Sequence, residues 1–182
     1  MTQHFETQGL LMLPFDSIDA AQVKNDYTIR HRISADLLSL HNRKIHAKYS
    51  ALALGVTDEA GNYSAAEHRL GPKILSNTST KEIWKFAADL LKCKTPQEVV
   101  DAIYTAAIQN IKISIGSEMA MMLMPDTFWV GNTRTIWTHL LIKHSGNRSR
   151  ANLELSLYRD NERHSGNGLW NMAETCFNEW ES

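Results

Sequence analysis

The sequence is poor in cysteine and has no long hydrophobic run. Its 182 residues include two cysteines, Cys93 and Cys176, which lie far apart and outside any recognisable motif. This excludes a disulfide scaffold and fits a reducing compartment. The longest apolar run, Met119–Met124, is far shorter than the roughly 20 residues of a membrane-spanning helix. The N-terminal sequence MTQHFETQ lacks the features of a signal peptide, so we expect a cytoplasmic protein without membrane partners.

An excess of charge of one sign is also lacking. Lys and Arg total 19 against 20 Asp and Glu, and the net charge of −1 gives no overall attraction to nucleic acid or membranes. The hydrophobic fraction of 43% is that of an ordinary globular protein. Because no stretch has the composition of a linker, we expect a single domain that spans residues 1–182.

Motifs for catalysis and metal binding are missing as well. The chain has no G-x-S-x-G elbow, no glycine-rich phosphate loop and no catalytic-cysteine signature. Two histidine pairs, His41 with His46 and His139 with His144, have a spacing of five. On a helix this spacing turns the second side chain about 140° from the first, whereas helical metal pairs are four residues apart. We therefore expect no metal and no cofactor.

Two short segments near the start have the pattern of strands. Gln8–Leu13 is an apolar run that Pro14 closes, and Tyr27–Ile33 alternates apolar or aromatic residues with polar ones. We expect these segments to pair as antiparallel strands. Arg30 and Arg32 would then project from the same side of the second strand.

Most of the remaining chain has helical spacing. Apolar residues recur from Leu40 to Gly55, which predicts a helix with Asp36 or Ser39 as its cap. The same spacing predicts a second helix that starts at Asn132 or Thr133 and ends before Gly146. The second of these helices should be anchored in the core by Ile136, Trp137, Leu140 and Leu141. Two further helices are expected near Arg150–Arg159 and Leu169–Trp180. His-Ser-Gly-Asn occurs twice, at 144–147 and 164–167, where we expect glycine to cap the preceding helix.

Capping boxes mark two further helices in the middle of the chain. Ser79-x-x-Glu82 precedes one apolar stripe, and Thr95-Pro-Gln-Glu98 precedes the next, so these helices should pack as a pair. Ile111–Ile115 alternates and fits either a third strand or a frayed end of the second helix. The methionine-rich Ser117–Met124 is expected to fill the core. The predicted fold is α+β and mostly helical, with a small N-terminal antiparallel strand pair on a bundle of about five to six helices.

Basic residues cluster in two parts of the neutral chain. The first cluster contains Arg30, Arg32, Arg43, Lys44 and Lys48, with His41 and His46 close by, and the second contains Arg148 and Arg150. Cations that are grouped near aromatic residues are typical of nucleic-acid interfaces. The alternative is that these cations form the solvated faces of amphipathic elements.

The segment from Tyr27 to Ala51 resembles NinB-type phage recombination accessory proteins, which bind single-stranded DNA. Ser39–Ala47, SLHNRKIHA, is similar to the S-L-x-x-N-R-K-x-x-A segment that follows a strand in that family, but it is one residue shorter before the arginine. The resemblance covers about 25 residues, and from Leu54 onward nothing matches. It implies a phage-encoded accessory protein in which Arg43 and Lys44, together with Arg30 and Arg32, contact single-stranded DNA.

A second resemblance involves Arg134-x4-His139, which is similar to the R-x4-6-H motif of HEPN-type ribonucleases. In that family a helix presents arginine to the scissile phosphate, and histidine assists proton transfer. The chain departs from the family at Thr135, where a residue such as Asn, Asp or His is usual, and in its predicted strands. The alternative is that Arg134 bonds a loop and His139 is partly buried.

We therefore expect a nucleic-acid-binding accessory protein that acts without catalysis, with single-stranded DNA as its favoured partner. One alternative is a HEPN-like ribonuclease that uses Arg134 and His139. The other is a non-catalytic interaction subunit or inhibitor that binds a protein.

Overall fold

The protein is helical throughout the part of the chain that the structure describes. The computed structural model describes residues 19–58 and 61–165, with the side chains of the last helix as far as Ser156. These ranges contain no strand and form nine helices: α1 Ala20–Asn42, α2 His46–Ala53, α3 Tyr63–Glu67, α4 Leu70–Asn77, α5 Thr80–Leu90, α6 Pro96–Ala106, α7 Ile113–Leu123, α8 Thr133–Lys143 and α9 Arg148–Ser165. The predicted α+β fold on five to six helices is therefore wrong.

The predicted strand Tyr27–Ile33 lies inside α1. Asp19 caps this helix, because its side chain accepts hydrogen bonds from the N–H groups of Ala21 and Gln22. Ile33 and Leu37 are buried at a spacing of four, so the apolar period of two was one part of a helical pattern. The partner strand, Gln8–Leu13, lies outside the described residues.

Helix α1 also contains both residues that were expected to cap the next helix, Asp36 and Ser39. It continues to Asn42, and α2 begins only at His46. The predicted end of α2 is confirmed, since Gly55 has a φ of 64° and closes the helix as a left-handed residue.

Both capping boxes are confirmed. The Ser79 side chain accepts from Glu82 N–H, and the Glu82 carboxylate accepts from Ser79 N–H, at the start of α5. Thr95 and Glu98 make the same exchange at the start of α6. Helices α5 and α6 pack against each other. Local sequence therefore determines where both helices begin.

Helix α7 forms the centre of the bundle and packs against α1, α3, α5 and α6. Every residue from Ile115 to Leu123 is buried, which confirms the methionine-rich segment as core. Ile111–Ile115 is neither a strand nor the end of α6. Helix α6 ends at Ala106, its C-cap Ala107 has a left-handed φ of 48°, and α7 begins at Ile113.

Helices α8 and α9 pack against each other around a second, smaller core of Ile136, Leu140, Ala151 and Leu155. Asn132 caps α8 as predicted. The left-handed residue that follows the C-cap of α8 is Ser145, with a φ of 50°, and Gly146 comes after it with a φ of 82°. The predicted helix Leu169–Trp180 lies beyond the described residues. Of the second HSGN copy, only His164 and Ser165 are described, and they are the last two residues of α9. Across 19–58 and 61–165, the helices are too short or too polar to cross a membrane.

Candidate nucleic-acid interface

The turn between α1 and α2 holds the main group of cations that the sequence singled out. Ile45 N–H donates to the Leu40 carbonyl at 3.0 Å. Lys44 N–H donates to the His41 carbonyl at 3.0 Å, which completes a Schellman motif at the end of α1. Lys44 occupies the left-handed position of this motif, with a φ of 55°. Glycine is the usual residue there, because a Cβ disfavours that conformation.

Trp84 of α5 braces this turn from the neighbouring helix. Its indole Nε1–H donates to the His41 main-chain oxygen at 3.0 Å. The His41 and Trp84 rings are stacked, with centroids 4.6 Å apart and planes inclined by 14°. The His46 ring lies 5.2 Å from Trp84 in a tilted arrangement. Trp84 therefore contacts a histidine on each side of the turn.

His41 is an aromatic member of this cluster. Its Nε2 atom is buried and has no hydrogen-bond partner among the described residues. Burial lowers the pKa of His41; a hydrogen bond to the Trp84 backbone opposes this effect, and the nearby His46 lowers the pKa further. The Tyr49 ring meets His41 edge-on, with centroids 5.7 Å apart. The His41 ring therefore packs against the rings of both Trp84 and Tyr49.

Three cations at this corner remain available to a ligand. Arg43 is the C-cap of α1, Lys44 follows it in the turn, and Lys48 lies in the first turn of α2. All three are exposed, and in the described part of the chain their side chains make no hydrogen bond or ion pair. The Glu82 carboxylate on α5 accepts hydrogen bonds from the N–H and hydroxyl groups of Ser79. We call Arg43, Lys44 and Lys48, with the His41–Trp84–His46 rings, the basic corner.

Arg30 and Arg32 do not project from the same side, as the predicted strand would have required. Two residues along a helix correspond to a rotation of about 200°, so the two side chains leave α1 on opposite sides. Arg30 reaches the Sδ atom of Met121 in α7. Arg32 forms ion pairs with Asp58 at 3.0 Å and Asp36 at 3.6 Å. Both guanidinium groups thus make contacts within the protein.

Arg148 and Arg150 lie in the first turn of α9, on a helix that packs against α8 and not in the basic corner. Both are exposed. The Asn147 side chain accepts from Arg150 N–H at 3.1 Å, so it uses one of the free donors that could have bound a phosphate. The structure does not join these two arginines to Arg43, Lys44 and Lys48 in one cluster.

Arg134 and His139 differ in their surroundings. Arg134 is exposed; it pairs with Glu67 of α3 and lies 5.9 Å from the centroid of the Tyr63 ring. Hydrogen bonds from Arg134 to Tyr63 and Glu67, together with the charge of Glu67, raise its pKa. His139 is buried, with 7% of its surface exposed. An all-helical fold agrees with HEPN domains, but the two side chains do not meet at a common solvent-exposed site.

The sequence alone does not reveal the role of Trp84, which lies in the apolar stripe that follows the Ser79-x-x-Glu82 capping box. Trp84 and His41 are 43 residues apart, and their contact depends on how α5 packs against α2. The only local signal was the occurrence of His41 and His46 on both sides of a basic turn. That pattern predicts a surface cluster and does not indicate which aromatic residue braces it.

Comparisons with known proteins leave the basic corner as the main guide to function. No family model, curated protein or solved structure matches the chain. Among residues 19–58 and 61–165, no three His, Cys, Asp or Glu side chains are grouped as metal ligands would be.

Proposed function

We propose that the protein binds single-stranded nucleic acid, and single-stranded DNA in particular, through the basic corner. The proposal is carried by one observation: Arg43, Lys44 and Lys48 lie within six residues beside the half-buried Trp84, and their exposed side chains make no ion pair with any residue that the structure describes. The protein as a whole has a net charge of −1 and so does not attract a polyanion, but this group of cations creates a local positive site.

The chemistry of the corner suits a flexible polyanion. Lysine and arginine bind phosphates through charge and hydrogen bonds, and each phosphate contact releases a counterion. Aromatic rings next to such cations favour unpaired bases, whose faces are accessible, over bases inside a duplex. The resemblance of Ser39–Ala47 to the S-L-x-x-N-R-K-x-x-A segment of NinB-type phage proteins points the same way and includes Arg43 and Lys44, although helix α1 stands here where that family has a strand. We therefore propose an accessory role in DNA recombination, with the protein encoded by a phage.

The ribonuclease alternative has less support from the geometry. Catalysis by Arg134 and His139 requires both side chains to reach one phosphodiester. Arg134 is engaged by Glu67 and Tyr63, and His139 is buried.

The other alternative is an interaction subunit that binds a protein. It is tested by purifying the protein from cells: a stable protein partner that co-purifies without nucleic acid would replace the present proposal.

The proposal is tested by fluorescence anisotropy with a labelled 20-nucleotide single strand and a duplex of the same sequence. Measurements at 50 and 200 mM NaCl should give tighter binding to the single strand and an affinity that falls with salt. With three phosphate contacts, the slope of log K against log salt should be about −2. Replacing Arg43, Lys44 and Lys48 together by glutamine should abolish most of this binding.

A second triple variant controls for net charge. Lys73, Lys94 and Lys112 are exposed, lie outside the basic corner and have no side-chain hydrogen bond or ion pair in the described chain. Changing these three residues to glutamine removes the same charge and should leave the affinity within about twofold. Equal weakening by both triple variants would refute the basic corner as the binding site. No salt-sensitive binding of the wild type to DNA or RNA would refute nucleic-acid binding altogether.

A further inference from the structure

We infer that Trp84 is a positioning residue of the basic corner: its indole group holds the α1–α2 turn so that Arg43 and Lys44 face one nucleic-acid strand together. The inference rests on the proposed function. It assigns to Trp84 a role in binding that requires no direct contact with DNA.

The backbone of the turn is strained at the residue that carries a charge. Lys44 has a φ of 55°, a left-handed conformation that the Cβ atom of an L-amino acid disfavours. The same motif ends α2, and there the left-handed position is taken by Gly55, with a φ of 64°. A lysine keeps this conformation only where the surrounding contacts determine it.

Trp84 provides such a contact. The His41 carbonyl oxygen accepts two hydrogen bonds of 3.0 Å, one from Lys44 N–H inside the turn and one from the Trp84 indole. The indole also stacks on the His41 ring, at the last turn of α1, and lies 5.2 Å from the ring of His46, where α2 begins. Trp84 thus fixes both ends of the segment that contains Arg43 and Lys44.

Fixing the turn affects binding because two cations that are already arranged lose less conformational entropy when a ligand engages them. Without the indole N–H, the left-handed turn has one contact fewer to hold it, and Arg43 and Lys44 would no longer keep a fixed separation. A single strand would then engage fewer cations at once. The number of engaged cations is measured by the salt dependence of the binding constant, which a change in folding stability alone does not alter.

The test replaces Trp84 by phenylalanine, which keeps an aromatic ring and removes the indole donor. We expect the affinity for the 20-nucleotide strand to fall by about five- to tenfold at 50 mM NaCl. The salt slope should become shallower by about 0.7, which corresponds to one lost phosphate contact on a single strand. Helical circular dichroism of the variant should stay at the wild-type level.

Trp137 provides a matched control. It is a half-buried tryptophan whose indole donates to the Asn152 side chain at 2.8 Å, on the α8–α9 pair. Trp137→Phe removes the same kind of hydrogen bond without touching the basic corner. It should lower stability by a similar amount and leave both the affinity and the salt slope of the wild type unchanged.

If Trp84→Phe does not fold, 3-benzothienylalanine at position 84 serves as the second variant, because sulfur replaces the N–H in a ring of the same shape. A salt slope equal to that of the wild type in the folded variant would overturn the positioning role and leave the proposed function intact. Failure of the wild type to bind any strand would instead refute the function itself. A slope that falls equally in Trp137→Phe would also overturn the inference.

Discussion

Glu118, near the middle of the central helix, accepts a hydrogen bond from the main-chain N–H of Ser64 at 2.8 Å. Its other carboxylate oxygen accepts from Tyr63 N–H at 3.0 Å. Only 6% of Glu118 is exposed, so a buried carboxylate caps the five-residue helix α3 from a distant part of the chain. Helix α3 in turn carries Glu67, which binds Arg134 of α8. Polar contacts therefore hold α3 to two other helices: Glu118 joins it to α7, and the Glu67–Arg134 ion pair joins it to α8.

Replacing Glu118 by alanine should lower the free energy of unfolding by about 3 kcal/mol, because the main-chain N–H groups of Tyr63 and Ser64 lose an acceptor that is itself buried. Urea unfolding followed by circular dichroism measures this. Glu98→Ala is the matched control, since Glu98 also accepts two main-chain N–H bonds but is exposed. That variant should lose only about 1 kcal/mol. Equal losses in both variants would show that the burial of Glu118 has no effect.

Local patterns of the sequence predicted helix starts well and the first element poorly. The capping boxes at Ser79 and Thr95 depend on residues three positions apart, so the sequence contains all the information they need. Tyr27–Ile33 was ambiguous because Ile29 and Ile33 satisfy both a period of two and a period of four. The deciding contacts come from other parts of the chain: Ile33 and Leu37 belong to the same core cluster as residues of α7.

The candidate site was predicted only in part, for the same reason. Arg43, Lys44 and Lys48 are close in sequence, and their grouping needed no tertiary information. Arg32 forms an ion pair with Asp58, 26 positions away, which the sequence alone does not predict. The Trp84 contact to His41 spans 43 positions, and nothing in a single sequence predicts it.

His41 should make stability depend on pH. Because its pKa is lower in the folded protein than in the unfolded chain, the unfolded chain takes up a proton first as the pH falls. The contribution of neutral His41 is present above about pH 6.5, the ordinary value for histidine, and is lost progressively below it. His41→Phe keeps a ring against Trp84 and cannot titrate. Urea titrations at pH 5.5 and 7.5 should show a smaller stability difference for this variant than for the wild type.

If the stability difference between pH 5.5 and 7.5 were the same in His41→Phe and the wild type, proton uptake by His41 would not contribute to it.

Tyr49 buries its hydroxyl without a hydrogen-bond partner in the described residues, and its surface is 0% exposed. Burial accordingly raises the pKa of Tyr49 far above its ordinary value. Tyr49→Phe removes an unpaired polar atom and keeps the ring, so the free energy of unfolding should rise by about 1 kcal/mol. In Tyr27→Phe, which removes an exposed hydroxyl bonded to Asp126 at 3.1 Å, it should fall slightly. Thermal unfolding compares the two variants, and a loss of stability in Tyr49→Phe would contradict the unpaired state.

Gly116 allows α6 and α7 to approach each other closely. A Cβ atom at this position would lie 2.5 Å from Cγ1 and 2.6 Å from Cδ1 of Ile103, well inside van der Waals contact. Isoleucine is branched at Cβ and has little freedom to rotate away within a helix. Gly116→Ala should therefore destabilise the protein by about 1–3 kcal/mol, although alanine is the better helix former.

A double-mutant cycle with Ile103→Ala separates the steric effect from helix propensity. Truncating Ile103 alone leaves a cavity and should cost about 2–4 kcal/mol. In the double variant the methyl group introduced by Gly116→Ala occupies part of that cavity, so the total loss should be smaller than the sum of the single losses by at least about 1 kcal/mol. Additive losses would mean that α6 and α7 separate to accommodate the methyl group. In that case the close contact at Gly116 would not determine how α6 packs on the central helix.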